Sequence, residues 1–424
     1  MGTIREIKPI GRVNARVRVP GSKSMTNRAL VCAALARGES MLRGASDSED
    51  TLLMVNGLNQ LAVLVRRQDD ALVVEGTGGR LYAPKYPIPT GNAGTTLRFL
   101  LSMATLAQGS VAFQTHPRMA GRPNEDLLTA LRSLGALIEH QPDATTFTVT
   151  GGTLRGGVAR VKGDRSSQFL SSLLMPAPYA PLNVELIIEG PLVSVPYVDM
   201  TIEVMRQFGI DVKRNDASHY VVESGMRYRP ATISIEPDAS AASYFLAAAA
   251  ITGGSVLVEG LRRSSSQGDV RFLDVLAAMG CRCEETADGI SMTSTGRLRG
   301  VDLDMNAMPD MVPTLVAVAL FADGETCIRN VGQLRYKESD RGEGLAAELR
   351  RLGASVDMQG DALVIRPSKL HGGQLDTFED HRLAMSFALL GLRVPGVRIE
   401  QPECVRKSFP GFWDEFEKLY SVQE

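Results

Sequence analysis

DASAASYFLAAAAITGGSVLVE, residues 238–259, runs a polar opening, an apolar helix, a glycine stop and an alternating strand together without a break. Asp238 is a favoured N-cap residue, and its charge suits the positive end of a helix. From Tyr244 onward the residues are apolar on every face, which predicts a helix buried all round. Gly254 then marks the stop, and the strand alternates to Glu259.

The same succession is found six times. The other openings are Ser22-Lys23-Ser24, Asn92-Ala93-Gly94-Thr95, Ser166-Ser167-Gln168, Pro309-Asp310-Met311 and Asp380-His381-Arg382, at roughly 70-residue intervals. A fixed period of this kind signals a repeat architecture. A second, amphipathic helix follows in each copy: Thr51 to Ala62, Asp126 to Ala136, Asp199 to Ile210, Arg271 to Cys281 and Glu343 to Ala354. Most of these end in a Leu-Gly-Ala-like corner, although the first copy lacks the glycine. Two short strands follow each one. The repeat reads helix, strand, helix, strand, strand, with linking strands.

The sixth copy is short. After Asp380 the chain carries one more helix, Phe412 to Leu419. The missing strand pair is expected from Ile4 to Val19, read as two strands around Gly11-Arg12. Two three-repeat domains follow, residues 21–235 and residues 236–424 plus 1–20. The chain would cross between them near Pro20-Gly21 and Ser234-Ile235, a hinge with the active site in a cleft between the domains.

Composition narrows the function. A chain of 424 residues exceeds one ordinary core. A net charge of −2 and 5% aromatic residues point away from nucleic acid. There is no long apolar run for a membrane span and no export signal, so the expected compartment is cytoplasmic. The five cysteines fit reduced thiols, and Cys281-Arg282-Cys283 reads as alternate strand positions rather than a metal pair. Walker A, dinucleotide and zinc-hydrolase motifs are absent, which leaves Lys, Asp and Glu to move protons between anionic substrates. The Met1 start without a transit extension points to a bacterial single-function protein.

Helix openings expose N–H groups and partial positive charge, so several aimed together would hold an anion. Each opening alone also reads as an ordinary cap. Asp238, Asp310 and Asp380 stand at equivalent points, where capping favours Asp. The segment Arg335 to Arg341 is densely charged, and Arg122, Arg341 and Lys407 recur at matching repeat positions. Recurrent cations suit a ligand rich in phosphate or carboxylate.

Six motifs in order resemble the 5-enolpyruvylshikimate-3-phosphate synthases, within the enolpyruvyl transferases. They are Pro20-Gly-Ser-Lys-Ser, Gly91 to Arg98, Ser166-Ser-Gln168, Asp238 to Tyr244, Arg335 to Arg341 and Asp380-His-Arg382. The resemblance implies an α/β fold, a two-domain inside-out α/β barrel of six repeats. It implies transfer of the enolpyruvyl group of phosphoenolpyruvate to the 5-hydroxyl of shikimate 3-phosphate, on the route to chorismate, by a monomer with no metal and no organic cofactor. Lys23, Ser24, Arg28, Ser166, Ser167, Gln168, Ser194, Tyr197, Asp310, Gln333 and Lys337 would then hold shikimate 3-phosphate. Lys23, Asn92, Gly94, Arg122, Gln168, Arg341, Arg382 and Lys407 would surround phosphoenolpyruvate. Asp310 would take the hydroxyl proton, Glu338 would protonate the methylene carbon, and Lys23 would serve the departing phosphate or the proton traffic.

Gln333 stands where many relatives have Asn, and Phe99 where some have Pro. Gly94 implies sensitivity to glyphosate. Two other readings share this pattern. One is the sister transferase acting on UDP-N-acetylglucosamine, which typically has a Cys in the loop corresponding to His116–Pro123; this chain has none there. The other is a non-catalytic anion-binding relative, which the joint presence of Lys23, Asp310, Glu338 and Arg341 opposes.

Overall fold

Each opening starts a buried helix. In a computed structural model, which describes residues 3–421, these helices are Lys23–Leu35, Gly94–Ala104, Ser167–Leu174, Ala239–Thr252, Val312–Ala319 and His381–Gly391. Small side chains let them pack closely. In one unit Lys23–Leu35 packs on Gly94–Ala104, which packs on Ser167–Leu174. In the other the remaining three pack on one another. Sheets and the amphipathic helices cover these inner helices, which therefore have no solvent face, and this accounts for their uniform apolarity. The units are Gly21–Ile235, and Met1–Pro20 with Glu236–Glu424. Each has its own apolar core.

The repeat shows in the sheets. In the second repeat Ile88–Gly91 leads and runs parallel to Ser110–Thr115. Thr146–Thr150 pairs antiparallel beyond it, and Leu137–Glu139 lies at the edge. Repeats one to five share this order. The first and fourth take their leading strands from unexpected places. Thr232–Ser234, at the end of its unit, leads the first repeat, with Ile233 opposite Leu42. Val13–Val17 leads the fourth, with Ala15 opposite Val256.

The N-terminal strands therefore do not form the expected pair. Ile4–Glu6 joins the sixth repeat antiparallel to Val397–Glu400, while Val13–Val17 completes the fourth. The reason lies between them. Ile7 and Ile10 give their N–H groups to the carbonyls of Val397 and Leu392, both at 3.0 Å, so the segment is bound to the sixth repeat instead of closing a hairpin.

The glycine corners have one cause. Gly135, Gly209, Gly280 and Gly353 all have φ between 84° and 110°. In each, the following residue's N–H reaches back to a carbonyl five residues earlier: Ala136 to Leu131, Ile210 to Met205, Cys281 to Leu276 and Ala354 to Leu349, at 3.0–3.1 Å. This is the left-handed helix stop that glycine adopts without steric penalty. The first repeat makes the same bond, Val63 to Leu58 at 3.0 Å, with Ala62 held at φ 66°. An Ala there carries a cost of about 1 kcal/mol that Gly avoids. Ala62 is exposed, so its methyl contributes little packing. Ala62→Gly should accordingly raise unfolding free energy by about 0.5–1 kcal/mol in urea titrations, against the usual trend for Gly substitutions.

Candidate active site

In the Gly21–Ile235 unit the helix starts are tied by side chains. Lys23, the first helical residue, places Nζ 2.8 Å from Asp50 Oδ2, with both side chains largely buried. The carbonyl of Asp50 accepts from the Thr96 hydroxyl at 2.9 Å. Asn27 donates to the Thr95 hydroxyl at 3.0 Å. The first helix is thereby fixed to the second.

Arg28 lies one turn in and is 1% exposed. It donates to Thr201 Oγ1 (2.7 Å), the Ser24 carbonyl (2.9 Å), the Tyr197 carbonyl (3.2 Å) and Ser171 Oγ (3.4 Å). All four acceptors are neutral. Its guanidinium carbon sits 5.3 Å from the Phe99 ring, so the residue that departs from some relatives serves as a platform for this charge. Burial lowers the Arg28 pKa to about 10. A buried cation against neutral acceptors would gain from an anion.

The third opening works differently. Ser166 caps its helix through the N–H of Gln168, at 3.3 Å, and Ser167 is the first helical residue. Arg98 donates to Gln168 Oε1 at 2.8 Å. The second helix starts at Gly94 with no side-chain cap, directly after Asn92-Ala93. A Cβ at Gly94 would stand 3.2 Å from Gln168 Oε1 and 3.3 Å from Arg122 Nη1, so Gly94, Arg122 and Gln168 share one small space. Ser194 is buried in the left-handed region at φ 55°, just before the helix that carries Tyr197 and Thr201.

The other unit gathers charge. Arg341, 1% exposed, contacts Asp380 (2.8 Å), Asp310 (3.0 Å) and Glu338 (2.7 Å). Asp310 also meets Lys337 at 3.1 Å and Arg382 at 2.9 Å. Gln333 and Lys407 are buried, each on a short helical turn, and Gln333 Nε2 has no partner among the described residues. The three equivalent aspartates thus separate. Asp238 accepts from the Ala241 N–H and Asp380 from the Arg382 N–H, as caps do. Asp310 is not the N-cap residue, because Pro309–Met311 forms a tight turn that draws it inside the helical stretch, and its carboxylate meets the cations. Burial alone would raise the Asp310 carboxyl, but Arg382, Lys337 and Arg341 hold it well below the usual range. Burial lowers Lys337 although Asp310 opposes the change, and the carboxylates raise Arg341 against its own burial.

No group of His, Cys, Asp and Glu among the described residues could hold a metal, and no helix among them is long and apolar enough to cross a membrane. What the two sets offer is buried cations, amide and hydroxyl donors, and one carboxylate set off the N-cap position. The family model for EPSP synthase (3-phosphoshikimate 1-carboxyvinyltransferase) matches residues 7–416. The chain belongs to the EPSP synthase family. A 3-phosphoshikimate 1-carboxyvinyltransferase of Shewanella denitrificans is 43% identical, over 97% of this chain and 98% of that protein. One from Methanoculleus marisnigri is 44% identical, over 97% and 98%. The solved EPSP synthase of Acinetobacter baumannii superposes with TM-score 0.81 at 26% identity, covering 99% of this chain and 98% of that one. The inside-out α/β fold is that of the family.

Three residues of these two sets make contacts that the sequence did not signal. Asp50 reads as an ordinary acidic first turn after Ser48, and only the fold brings it to Lys23. Thr201 sits inside an amphipathic helix. Asp380 reads as a cap and is one, yet its second oxygen also grips Arg341.

Removing Asp380 would leave Arg341 short of a buried partner, and Asp380→Ala should cost about 3–5 kcal/mol in denaturant unfolding. Asp310 gives a pH signature. Its folded pKa lies below the unfolded value of about 3.9, so its stabilisation is present above that pH and is lost as pH falls towards the folded value. Asp310→Asn should therefore flatten the decline of stability below about pH 4, measured as urea midpoints across the acid range.

Proposed function

We propose that the protein transfers the enolpyruvyl group of phosphoenolpyruvate to the 5-hydroxyl of shikimate 3-phosphate, releasing phosphate, as a cytoplasmic monomer. Family membership supports the reaction, and one observation in this chain carries the reading: Asp310 leaves the capping position and is held among Lys337, Arg341 and Arg382. Each substrate bears a phosphate and a carboxylate, so the cations must neutralise both before they can approach, and preorganised charge is the main source of rate. In this reading Lys23, Ser24, Arg28, Ser166, Ser167, Gln168, Ser194, Tyr197, Asp310, Gln333 and Lys337 hold shikimate 3-phosphate. Lys23, Asn92, Gly94, Gln168, Arg122, Arg341, Arg382 and Lys407 hold phosphoenolpyruvate.

The chemistry is addition followed by elimination. The 5-oxygen bonds to C2 of phosphoenolpyruvate as its proton passes to Asp310, and the methylene carbon gains a proton from Glu338. Loss of a proton from that carbon and of phosphate from C2 restores the double bond, with Lys23 beside the leaving group. Asp310 paired with three cations is a weak base. Substrate anions that draw Arg382 and Lys337 towards themselves would raise its basicity at the moment it is needed.

Phosphate release from phosphoenolpyruvate decides the reading. It is expected with shikimate 3-phosphate and absent with UDP-N-acetylglucosamine or with neither; release in the second or third case alone would overturn it. Asp310→Asn should lower turnover about 100-fold or more, and near-normal turnover would return Asp310 to a structural role. Gly94→Ala crowds Gln168 and Arg122, so it should raise KM for phosphoenolpyruvate about tenfold with a smaller change in kcat, and weaken inhibition by glyphosate.

A further inference from the structure

Residues 28, 98 and 168 stand at equal intervals of 70 along the repeats and carry Arg, Arg and Gln. Residues 99 and 169 are both Phe, and each supports the arginine of the preceding repeat. Arg28 lies over Phe99 at 5.3 Å and Arg98 over Phe169 at 5.1 Å. The two arginines nevertheless serve different ends. Arg28 meets backbone carbonyls and hydroxyls. Arg98, 2% exposed, meets two side-chain amides: Nη1 to Gln168 Oε1 at 2.8 Å and Nε to Asn124 Oδ1 at 3.2 Å, with Nη2 on the Pro123 carbonyl at 2.8 Å.

We infer that Arg98 is a positioning residue that fixes the Gln168 amide with its NH2 group outward, so that Gln168 meets the substrates only as a donor. A guanidinium has no acceptor. The amide atom facing Arg98 must therefore be oxygen, which turns Nε2 the other way. Nε2 of Gln168 donates to no described residue, and the side chain is only partly buried. The same logic applied to Asn124 shows the device at work. Its Oδ1 faces Arg98, and its Nδ2 is left to bind the carbonyls of Met119 (3.2 Å) and Arg122 (3.0 Å). One buried arginine thus orients two amides, with the Asn124 NH2 turned to the Arg122 loop and the Gln168 NH2 turned away from Arg98, while Gln168 Oε1 lies beside Gly94. Without Arg98 the Gln168 amide could turn over at little cost and present an acceptor to an anion, which would repel it. A donor-only Gln168 selects for ligand oxygens that accept: phosphate, carboxylate or ether.

This inference rests on the reaction proposed above, and steady-state phosphate release tests it. Gln168→Ala should raise KM for phosphoenolpyruvate about tenfold. Gln168→Glu keeps an oxygen for Arg98 but turns a second acceptor outward, so it should raise KM at least about tenfold beyond Gln168→Ala. A KM for the Gln168→Glu enzyme equal to or lower than that of the Gln168→Ala enzyme would overturn the inference. Arg98→Lys keeps charge but gives up the fork. Its effect on KM should shrink to about a third or less when combined with Gln168→Ala, because the coupling runs through that amide. An equal effect in both backgrounds would overturn the inference. If Arg98→Lys melts below assay temperature, the two substitutions of Gln168 still decide, since they leave Arg98 in place. Wild-type protein without phosphate release would overturn the functional reading and this inference together, whereas active wild type with either adverse result would overturn this inference alone.

Discussion

In the six inner helices, close packing confines charged side chains to the first two turns. Ala239–Thr252 shows the constraint most plainly. Its residues are buried from Ala239 to Ile251, so no flank is left for charge. The same holds for Gly94–Ala104 and His381–Gly391, whose buried Arg98 and Arg382 lie within the first turn or just beyond it. A helix that has neighbours on every side can offer chemistry only at its ends. Its N-terminal end comes with unsatisfied donors.

The two units meet that constraint with opposite electrostatics. In Gly21–Ile235, Arg28 is matched by hydroxyls and carbonyls, and a ligand anion would add the charge its burial lacks. In the other unit Arg341 is already matched by Asp310, Glu338 and Asp380, so an arriving anion must compete with carboxylates. One set favours simple capture. In the reaction proposed above, the other would make anion binding and the basicity of Asp310 depend on each other.

The architecture was legible because its signals are local. The roughly 70-residue period, the apolar helices and the Leu-Gly-Ala corners depend on backbone conformation and burial, which nearby residues dictate. Ala62 shows the limit of the corner signal: the bond pattern persists without the glycine that announces it. The place of Ile4–Glu6 in the sixth repeat was legible from that copy's missing strands, but the partner of Val13–Val17 was not, because alternation tells a strand which face to bury and says nothing of which sheet receives it. The site divided likewise. Lys23, Gln168 and Arg341 stood out by residue type, whereas the shift of Asp310 off the N-cap position depends on a tight turn at Pro309, and the grip of Arg98 on Gln168 spans a whole repeat.

The placement of the first strands also sets an order of assembly. Gly21–Ile235 holds all four strands of its first repeat, and that sheet is complete once the leading strand Thr232–Ser234 is made. Ile4–Glu6 has no partner until Val397–Glu400 exists, and Val13–Val17 none until Gly254–Glu259 does. On a ribosome, where synthesis runs from the N-terminus, these two strands thus emerge well before the strands that seat them. Until those strands exist they have no native partner, and the charged residues that punctuate them, Arg5, Glu6, Lys8, Arg12, Arg16 and Arg18, are the kind that keep a strand edge from pairing with another chain.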